Sequence, residues 1–254
     1  MRLGIAARIT MGLSLLMAAP AVAAVRHHAG AAKTRPAAVP MRAPKAVGAL
    51  FALTAKGKLS GHFCTASVVD SPKGDVVVTA AHCLTGANAT SLAFVPGYRN
   101  HTAPLGIWRV KKILVDEAWS QSSDPDHDFA FLVIAKKSAR SLQALTGAER
   151  LGSGKATGKR ATVVGYPSST EVAIACRNSL LAFSATQIEF DCDGYTNGTS
   201  GSAIVVDPDP STGLGTVVGV IGGYEQGGNT PSVSYAAAFG GTTRALYAAA
   251  VAAG

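Results

Sequence analysis

Three short stretches of the sequence place a histidine, an aspartate and a serine where their side chains could move protons and attack an electrophile. His82 follows the strand-like run of residues 75–80, and Asp128 opens the apolar run of residues 129–134. Ser200 lies in the stretch NGTSGS, whose small residues let the backbone turn tightly and expose the hydroxyl. A shielded carboxylate can orient an imidazole, and the imidazole can then take the proton of a serine hydroxyl. This combination predicts nucleophilic catalysis by Ser200.

The residues around this group include other possible partners for the histidine, and they suggest a site that could stabilise an oxyanion. Asp124 and Asp126 lie in the loop before Asp128 and are alternative partners for the histidine. The backbone N–H groups of Gly198 and Ser200 can point at one spot, where two donors would form an oxyanion hole. Neither CxxC nor HxxxH occurs, so we predict no metal site, and the chemistry calls for no cofactor.

Residues 1–23 have the features of a signal peptide. Arg2 and Arg8 supply a positive start, residues 9–19 are apolar, and Ala21-Val22-Ala23 resembles a signal-peptidase site. The apolar stretch is shorter than the roughly 20 residues that a helix needs to span a bilayer. We therefore predict a secreted, extracellular protein with no membrane anchor in the mature form.

Residues 24–46 are rich in Ala and Pro and contain no acidic residue, which predicts a flexible pro-segment or N-terminal tether. Seven of the 23 Lys and Arg residues lie before Val47, whereas none of the 15 Asp and Glu residues does. The rest of the chain thus holds 16 basic and 15 acidic residues. This near balance argues against nucleic-acid binding, which needs a concentrated basic face.

The four cysteines predict two disulfides in an exported chain, although four cysteines allow three pairings. Their spacing favours Cys64–Cys83 and Cys176–Cys192. Each bridge would stabilise the fold by roughly 3 kcal/mol through loop entropy. Free buried thiols are the alternative.

From Val47 onward, short β-branched or apolar runs alternate with turns rich in Gly, Pro, Asp and Ser, which predicts an all-β fold. Residues 139–160 are polar and basic with little strand character, so we expect them to connect two β-rich halves. A short helix around 141–146 is a possible part of this connector. The Ala-rich residues 242–253 predict a C-terminal helix.

The motifs TAAHC (79–83), the aspartate-led strand and GTSGS (198–202) resemble the triad motifs of the trypsin/chymotrypsin family of serine peptidases. The stretches VGALF (47–51) and CTASVV (64–69) resemble its bacterial glutamyl-endopeptidase branch. The order His, Asp, Ser agrees with this family, whereas an α/β-hydrolase would run Ser, acid, His. The resemblance covers about residues 47–254.

The resemblance implies two packed six-stranded antiparallel β-barrels, one over residues 47–138 and one over residues 161–254, which includes the helix. His82 and Asp128 would come from the first barrel and Ser200 from the second. It also implies a serine endopeptidase that cleaves protein or peptide substrates through an acyl-enzyme. We expect a monomer.

The resemblance also locates the substrate pocket. Aligned on Ser200, Gly194 falls near the pocket floor, where trypsin-like members carry Asp, and Tyr195 follows it. Asp193 is one residue away, so a preference for Arg or Lys stays open. Tyr195 either narrows the pocket or packs behind it.

The far wall of the pocket departs from the glutamate-specific pattern. Ile221 stands where those members place a histidine, so we do not predict glutamate specificity. Gly222, Gly223 and Tyr224 should form the edge that pairs with an extended substrate. Tyr224 either narrows the pocket or packs elsewhere.

Thr199 stands where the trypsin group has the aspartate that pairs with a newly released N-terminal ammonium, so that zymogen switch is not expected here. Processing near Lys45–Val47 is a hypothesis that would free the first strand or remove a pro-segment. Two other functions stay open from the sequence: a secreted binding module on the same fold, and an esterase that uses the same triad.

Overall fold

Short strands dominate the computed structural model, which describes residues 35–137, 139–154 and 156–254. The predicted signal peptide (1–23) and residues 24–34 of the predicted pro-segment lie outside the described residues. The strands are β1 Val39–Met41, β2 Val47–Leu53, β3 Leu59–Val68, β4 Val76–Thr79, β5 Leu92–Pro96, β6 Trp108–Val115, β7 Ala130–Ile134, β8 Arg150–Leu151, β9 Arg160–Gly165, β10 Ala173–Ser179, β11 Leu181–Ala182, β12 Gln187–Asp191, β13 Ala203–Val206, β14 Thr216–Val220 and β15 Val233–Ala237. The α-helices are α1 Glu117–Ser122, α2 Leu142–Thr146 and α3 Gly241–Ala253.

The first six-stranded barrel is closed by antiparallel pairing in the order β2-β3-β4-β7-β6-β5. Strands β4 and β7 are buried along their whole length because both of their faces are covered. Val77 and Leu132 pack inside the barrel, whereas Val78 and Phe131 pack in a second cluster outside it. Tyr247 of α3 contacts Phe131 edge to face on that outer side. Burial on both faces explains why these runs are continuously apolar rather than alternating.

The second half encloses one core between two sheets. The larger sheet has the order β1-β10-β9-β13-β14-β8 and the smaller one the order β11-β12-β15. All of these strands pair antiparallel except β14 and β8, which are parallel. The predicted all-β fold is confirmed, with its closed six-stranded barrel and its C-terminal helix, although the strand pairing of the second half is divided between two sheets. Among the described residues, no helix is long and apolar enough to cross a membrane.

Two disulfides cross-link neighbouring strands, one in each half. Cys64 of β3 is bonded to Cys83, just after the end of β4. Cys176 of β10 is bonded to Cys192, just after β12, and so joins the two sheets of the second half. These are the pairings that the spacing favours, and within the described residues no cysteine is free.

Residues 35–46 differ from the flexible segment that their composition predicts. Strand β1 pairs antiparallel with β10, so that Val39 lies opposite Ala175. Ala38 donates its N–H to the carbonyl of Asp193 (2.8 Å), and Asp193 donates its own to the carbonyl of Pro36 (2.9 Å). The pairing covers an edge of the larger sheet and needs backbone groups rather than apolar side chains. Proline is tolerated on such an edge strand, so the composition does not prevent it.

The connector between the halves contains α2, in agreement with the short helix considered for residues 141–146, and then β8. Glu149 donates its N–H to the carbonyl of Val68 (2.9 Å) and accepts from the N–H of Asp70 (2.8 Å). The next residues, in β8, pair with β14 of the second half. The connector is therefore attached by backbone hydrogen bonds to both halves, which line opposite walls of one cleft. The predicted domain boundaries themselves stay predictions.

Candidate active site

His82 begins a short 3₁₀ turn, His82–Leu84, three residues after the buried strand β4 ends. Ala80 and Ala81 are buried, whereas the imidazole is partly exposed. The neighbouring disulfide attaches this turn to β3. The histidine is thus held by a rigid strand end while its ring reaches the cleft between the two halves.

Asp128 is fully buried and makes three hydrogen bonds. Its Oδ1 accepts from the backbone N–H of His82 (2.8 Å), and its Oδ2 lies 2.7 Å from His82 Nδ1. Oδ2 also accepts from the backbone N–H of Gly223 (2.8 Å), which belongs to the second half. With Nδ1 donating to the carboxylate, His82 Nε2 is left as the acceptor that faces the cavity.

The two alternative aspartates have other partners. Asp124 caps the 3₁₀ turn Pro125–His127 by accepting from the N–H of Asp126. Asp126 Oδ1 accepts from the side-chain amide of Gln187 (2.8 Å). Neither carboxylate has a hydrogen bond to His82 in the part of the chain that the structure describes.

Ser200 lies in the loop between β12 and β13 and is partly exposed. Its carbonyl accepts from the N–H of Thr65 (2.8 Å), and the next residue, Gly201, donates to the carbonyl of Ile221 (2.8 Å). Gly201 has φ +80°, and a Cβ there would lie 2.3 Å from the carbonyl oxygen of Thr65. The turn after Ser200 therefore requires glycine, in agreement with the small residues that the sequence places there.

Ser200 and His82 line one cavity of about 580 Å³ between the two halves. Gly198 lines it as well and has φ +96°. A Cβ on Gly198 would lie 2.4 Å from the backbone nitrogen of Ser168, so no larger residue fits. Within the described residues, the N–H groups of Gly198 and Ser200 donate to no protein acceptor.

The residues predicted for the substrate pocket divide into two groups. Tyr195 and Ile221 line the cavity, but the Tyr195 hydroxyl donates to the carbonyl of Val163 (2.7 Å) and its ring packs in the core. Burial raises the pKa of the Tyr195 hydroxyl far above its usual range. Tyr195 is therefore a packing residue behind the cavity wall. Gly194 is exposed and does not line the cavity, and a Cβ there would lie 3.5 Å from Ala38 Cβ.

The predicted substrate edge supports the aspartate rather than lining the cavity. A Cβ on Gly222 would lie about 3 Å from Asp128, and Gly223 donates to the same carboxylate. Tyr224 donates its N–H to Gln187 Oε1 (2.8 Å), while its ring is 41% exposed and contacts Phe183.

Sequence reasoning missed the loop of residues 225–231, which forms much of the cavity wall together with Ser234. The signal was present as EQGGNTP, a polar, glycine-rich stretch between two strand-like runs. Glu225 is the acidic residue among the described lining residues, which include no Lys or Arg. This wall offers no cation to pair with a glutamate side chain.

Cys64, His82 and Cys83 lie close enough to hold a metal ion, but both sulfurs are bonded to each other in the disulfide. A disulfide sulfur is not a thiolate and does not serve as a metal ligand. These three residues lie close together because His82 is next to the disulfide between Cys64 and Cys83.

Comparisons with known proteins agree with this geometry. A family model described as a trypsin-like peptidase domain matches residues 64–237. The protease Anisep from Arthrobacter nicotinovorans is 25% identical with a TM-score of 0.70, over 84% of this chain and 98% of that one. A search of the curated proteins finds no match.

Two further solved structures share the fold. A thermostable serine protease, AL20, from an extremophilic microorganism is 23% identical with a TM-score of 0.70, over 83% of this chain and 99% of that one. A Glu endopeptidase is 16% identical with a TM-score of 0.65, over 85% of this chain and 97% of that one. Because the family match spans more than half of the chain and includes His82, Asp128 and Ser200, the protein belongs to the trypsin-like peptidase family.

Proposed function

We propose that the protein is a secreted serine endopeptidase that uses Ser200, His82 and Asp128 as its triad. The observation that carries this proposal is the pair of hydrogen bonds between Asp128 and His82, with Ser200 lining the same cavity as the imidazole. The buried carboxylate orients the imidazole and stabilises the positive charge that forms on it.

The proposed reaction follows the general mechanism of serine peptidases. Ser200 Oγ attacks the carbonyl carbon of the scissile peptide while His82 Nε2 takes the hydroxyl proton. The N–H groups of Gly198 and Ser200 stabilise the oxyanion. His82 returns the proton to the leaving amine, the C–N bond breaks, and an ester to Ser200 remains. Water then attacks this ester with His82 again as the base, which releases the acid product and restores Ser200.

The experiment that tests the triad is intact-mass analysis of the exported, disulfide-bonded protein after treatment with a fluorophosphonate. We expect one covalent adduct on the wild type and none on Ser200→Ala. Ser211→Ala is the matched control, because Ser211 is exposed, its hydroxyl donates to Asp209, and it is not among the residues that line the cavity. If the wild type forms no adduct, the triad is not assembled and a binding module becomes the better account.

Export is supported by the predicted signal peptide and by the two disulfides, which persist in oxidising compartments. We propose that processing removes residues upstream of Arg35, rather than cutting near Lys45–Val47, because residues 36–41 are hydrogen-bonded to the second half and Ala46 is buried. Terminal sequencing of the exported protein should give a start at or before Arg35. A start at Ala46 or Val47 would contradict this.

A further inference from the structure

The two peptide groups that would form the oxyanion hole have their carbonyls on the side away from the cavity. In a trans peptide the N–H and C=O point in opposite directions. The N–H of Gly198 shares its peptide with the carbonyl of Asn197, and the N–H of Ser200 shares its peptide with the carbonyl of Thr199. Whatever holds these two carbonyls therefore also sets the direction of both N–H groups.

Each of these carbonyls accepts two hydrogen bonds from a single serine. The carbonyl of Asn197 accepts from Ser168, from its N–H at 2.7 Å and its Oγ at 3.1 Å. The carbonyl of Thr199 accepts from Ser202, from its N–H at 3.0 Å and its Oγ at 2.6 Å. The same arrangement, an N–H and a hydroxyl from one residue, thus occurs on both peptides.

The peptide between these two is held as well. Thr65 Oγ1 donates to the carbonyl of Gly198 (3.0 Å) and accepts from the N–H of Tyr166 (2.8 Å). Thr65 is fully buried and belongs to β3 of the first half. Three consecutive carbonyls before the nucleophile are therefore bonded, two of them by serines.

Neighbouring glycines make room for both serines. A Cβ on Gly165 would lie 2.4 Å from Ser202 Oγ, and a Cβ on Gly198 would lie 2.4 Å from Ser168 N. Side chains at either position would displace the hydrogen-bond donor. The serines and glycines together form one arrangement around the loop of residues 197–200.

We propose that Ser168 and Ser202 are positioning residues that hold the peptides of Asn197–Gly198 and Thr199–Ser200 so that both N–H groups point into the cavity. This inference rests on the proposed peptidase function. Thr199 carries no charge, and its Oγ1 donates to the carbonyl of Thr196 (2.7 Å), so neutral hydrogen bonds hold this loop.

Removal of the two hydroxyls should slow acylation to different extents. Both serines keep their N–H bond when the hydroxyl is removed. Ser202 is fully buried and its hydroxyl bond is short (2.6 Å), whereas Ser168 is exposed, so water can replace its longer hydroxyl bond (3.1 Å). A net hydrogen bond corresponds to a change of roughly 2- to 10-fold in an equilibrium. We expect Ser202→Ala to slow acylation about 10-fold and Ser168→Ala about 3-fold.

The test is stopped-flow acylation by p-nitrophenyl acetate, which gives the acylation rate constant and the dissociation constant separately. We expect both serine variants to lower the rate constant while the dissociation constant stays within about 2-fold. Ser168→Thr should restore the rate, because threonine keeps the hydroxyl on an exposed position. Ser211→Ala is the control and should match the wild type.

Two results would overturn the proposal: wild-type acylation rates in both variants, or equal losses in rate and binding that accompany a lower melting temperature. If Ser202→Ala does not fold, the comparison of Ser168→Ala with Ser168→Thr still tests the proposal, because Ser168 is exposed. A wild type that does not react with the fluorophosphonate refutes the proposed function, whereas a reactive wild type with unaffected variants refutes only the role of the two serines.

Discussion

Glu149 is a buried carboxyl group in the connector, and replacing it with glutamine should change the pH dependence of stability. The side chain is 1% exposed, and its Oε2 accepts from the N–H of Gly215 in the second half. Its Oε1 is buried without a hydrogen-bond partner among the described residues. Burial raises the pKa of Glu149 from 4.5 to about 7, against the smaller opposing effects of the Gly215 bond and of Arg150.

The difference between these two pKa values sets how much the free energy of unfolding changes with pH. The unfolded chain loses the Glu149 proton near pH 4.5, whereas the folded protein keeps it until about pH 7. Stability from this group is thus fully present below pH 4.5 and is lost as the pH rises through about 7. One pKa unit is equivalent to about 1.4 kcal/mol, so the loss amounts to about 3 kcal/mol at pH 8. Glu149→Gln keeps the size of the side chain and removes the titration.

The assay is urea unfolding at pH 5 and pH 8, followed by the fluorescence of the buried Trp108 and Trp119. The free energy of unfolding of Glu149→Gln, relative to the wild type, should rise by about 2.5 kcal/mol between pH 5 and pH 8, because a small part of the loss has already occurred at pH 5. Glu117→Gln, at an exposed glutamate, is the matched control and should show no such rise. An equal difference at both pH values for Glu149→Gln would refute the reasoning.

Three further outcomes follow from the site and its surroundings. Asp128→Asn should slow fluorophosphonate labelling by about 10⁴-fold, because an amide cannot hold the required tautomer of the histidine; labelling at the wild-type rate would contradict this. Gly201→Ala should lower the free energy of unfolding, measured in urea, by at least about 2 kcal/mol more than Gly158→Ala. Both glycines have φ near +80°, but of the two only Gly201 has atoms within 4 Å of an added Cβ. Equal losses in the two variants would contradict this. Burial lowers the pKa of His62, so the stability that this residue contributes should fall as the pH drops below 6.5. The melting temperature of His62→Gln should therefore be less sensitive to acid than that of the wild type, and an unchanged pH profile would count against this.

The sequence by itself determined the features that depend on local residue order. Continuous apolar runs predicted the strands, and the alanine-rich end predicted α3. The residues around His82 and Ser200 predicted both as candidate catalytic positions because a strand end and a glycine-flanked turn are short-range features. The spacing of the cysteines favoured the two observed disulfides among three possible pairings, since each bridge closes a short loop of the chain.

Only the tertiary structure decided which distant groups meet. Asp124, Asp126 and Asp128 are indistinguishable by type, and the hydrogen bonds to His82 and Gly223 single out the last of them. The pairing of residues 39–41 with β10 and the bond from the N–H of Ser168 to the carbonyl of Asn197 use backbone groups rather than particular side chains. Contacts of this kind depend on the path of the chain through space rather than on side-chain identity. Residues far apart in the sequence therefore give no local pattern from which they could be predicted.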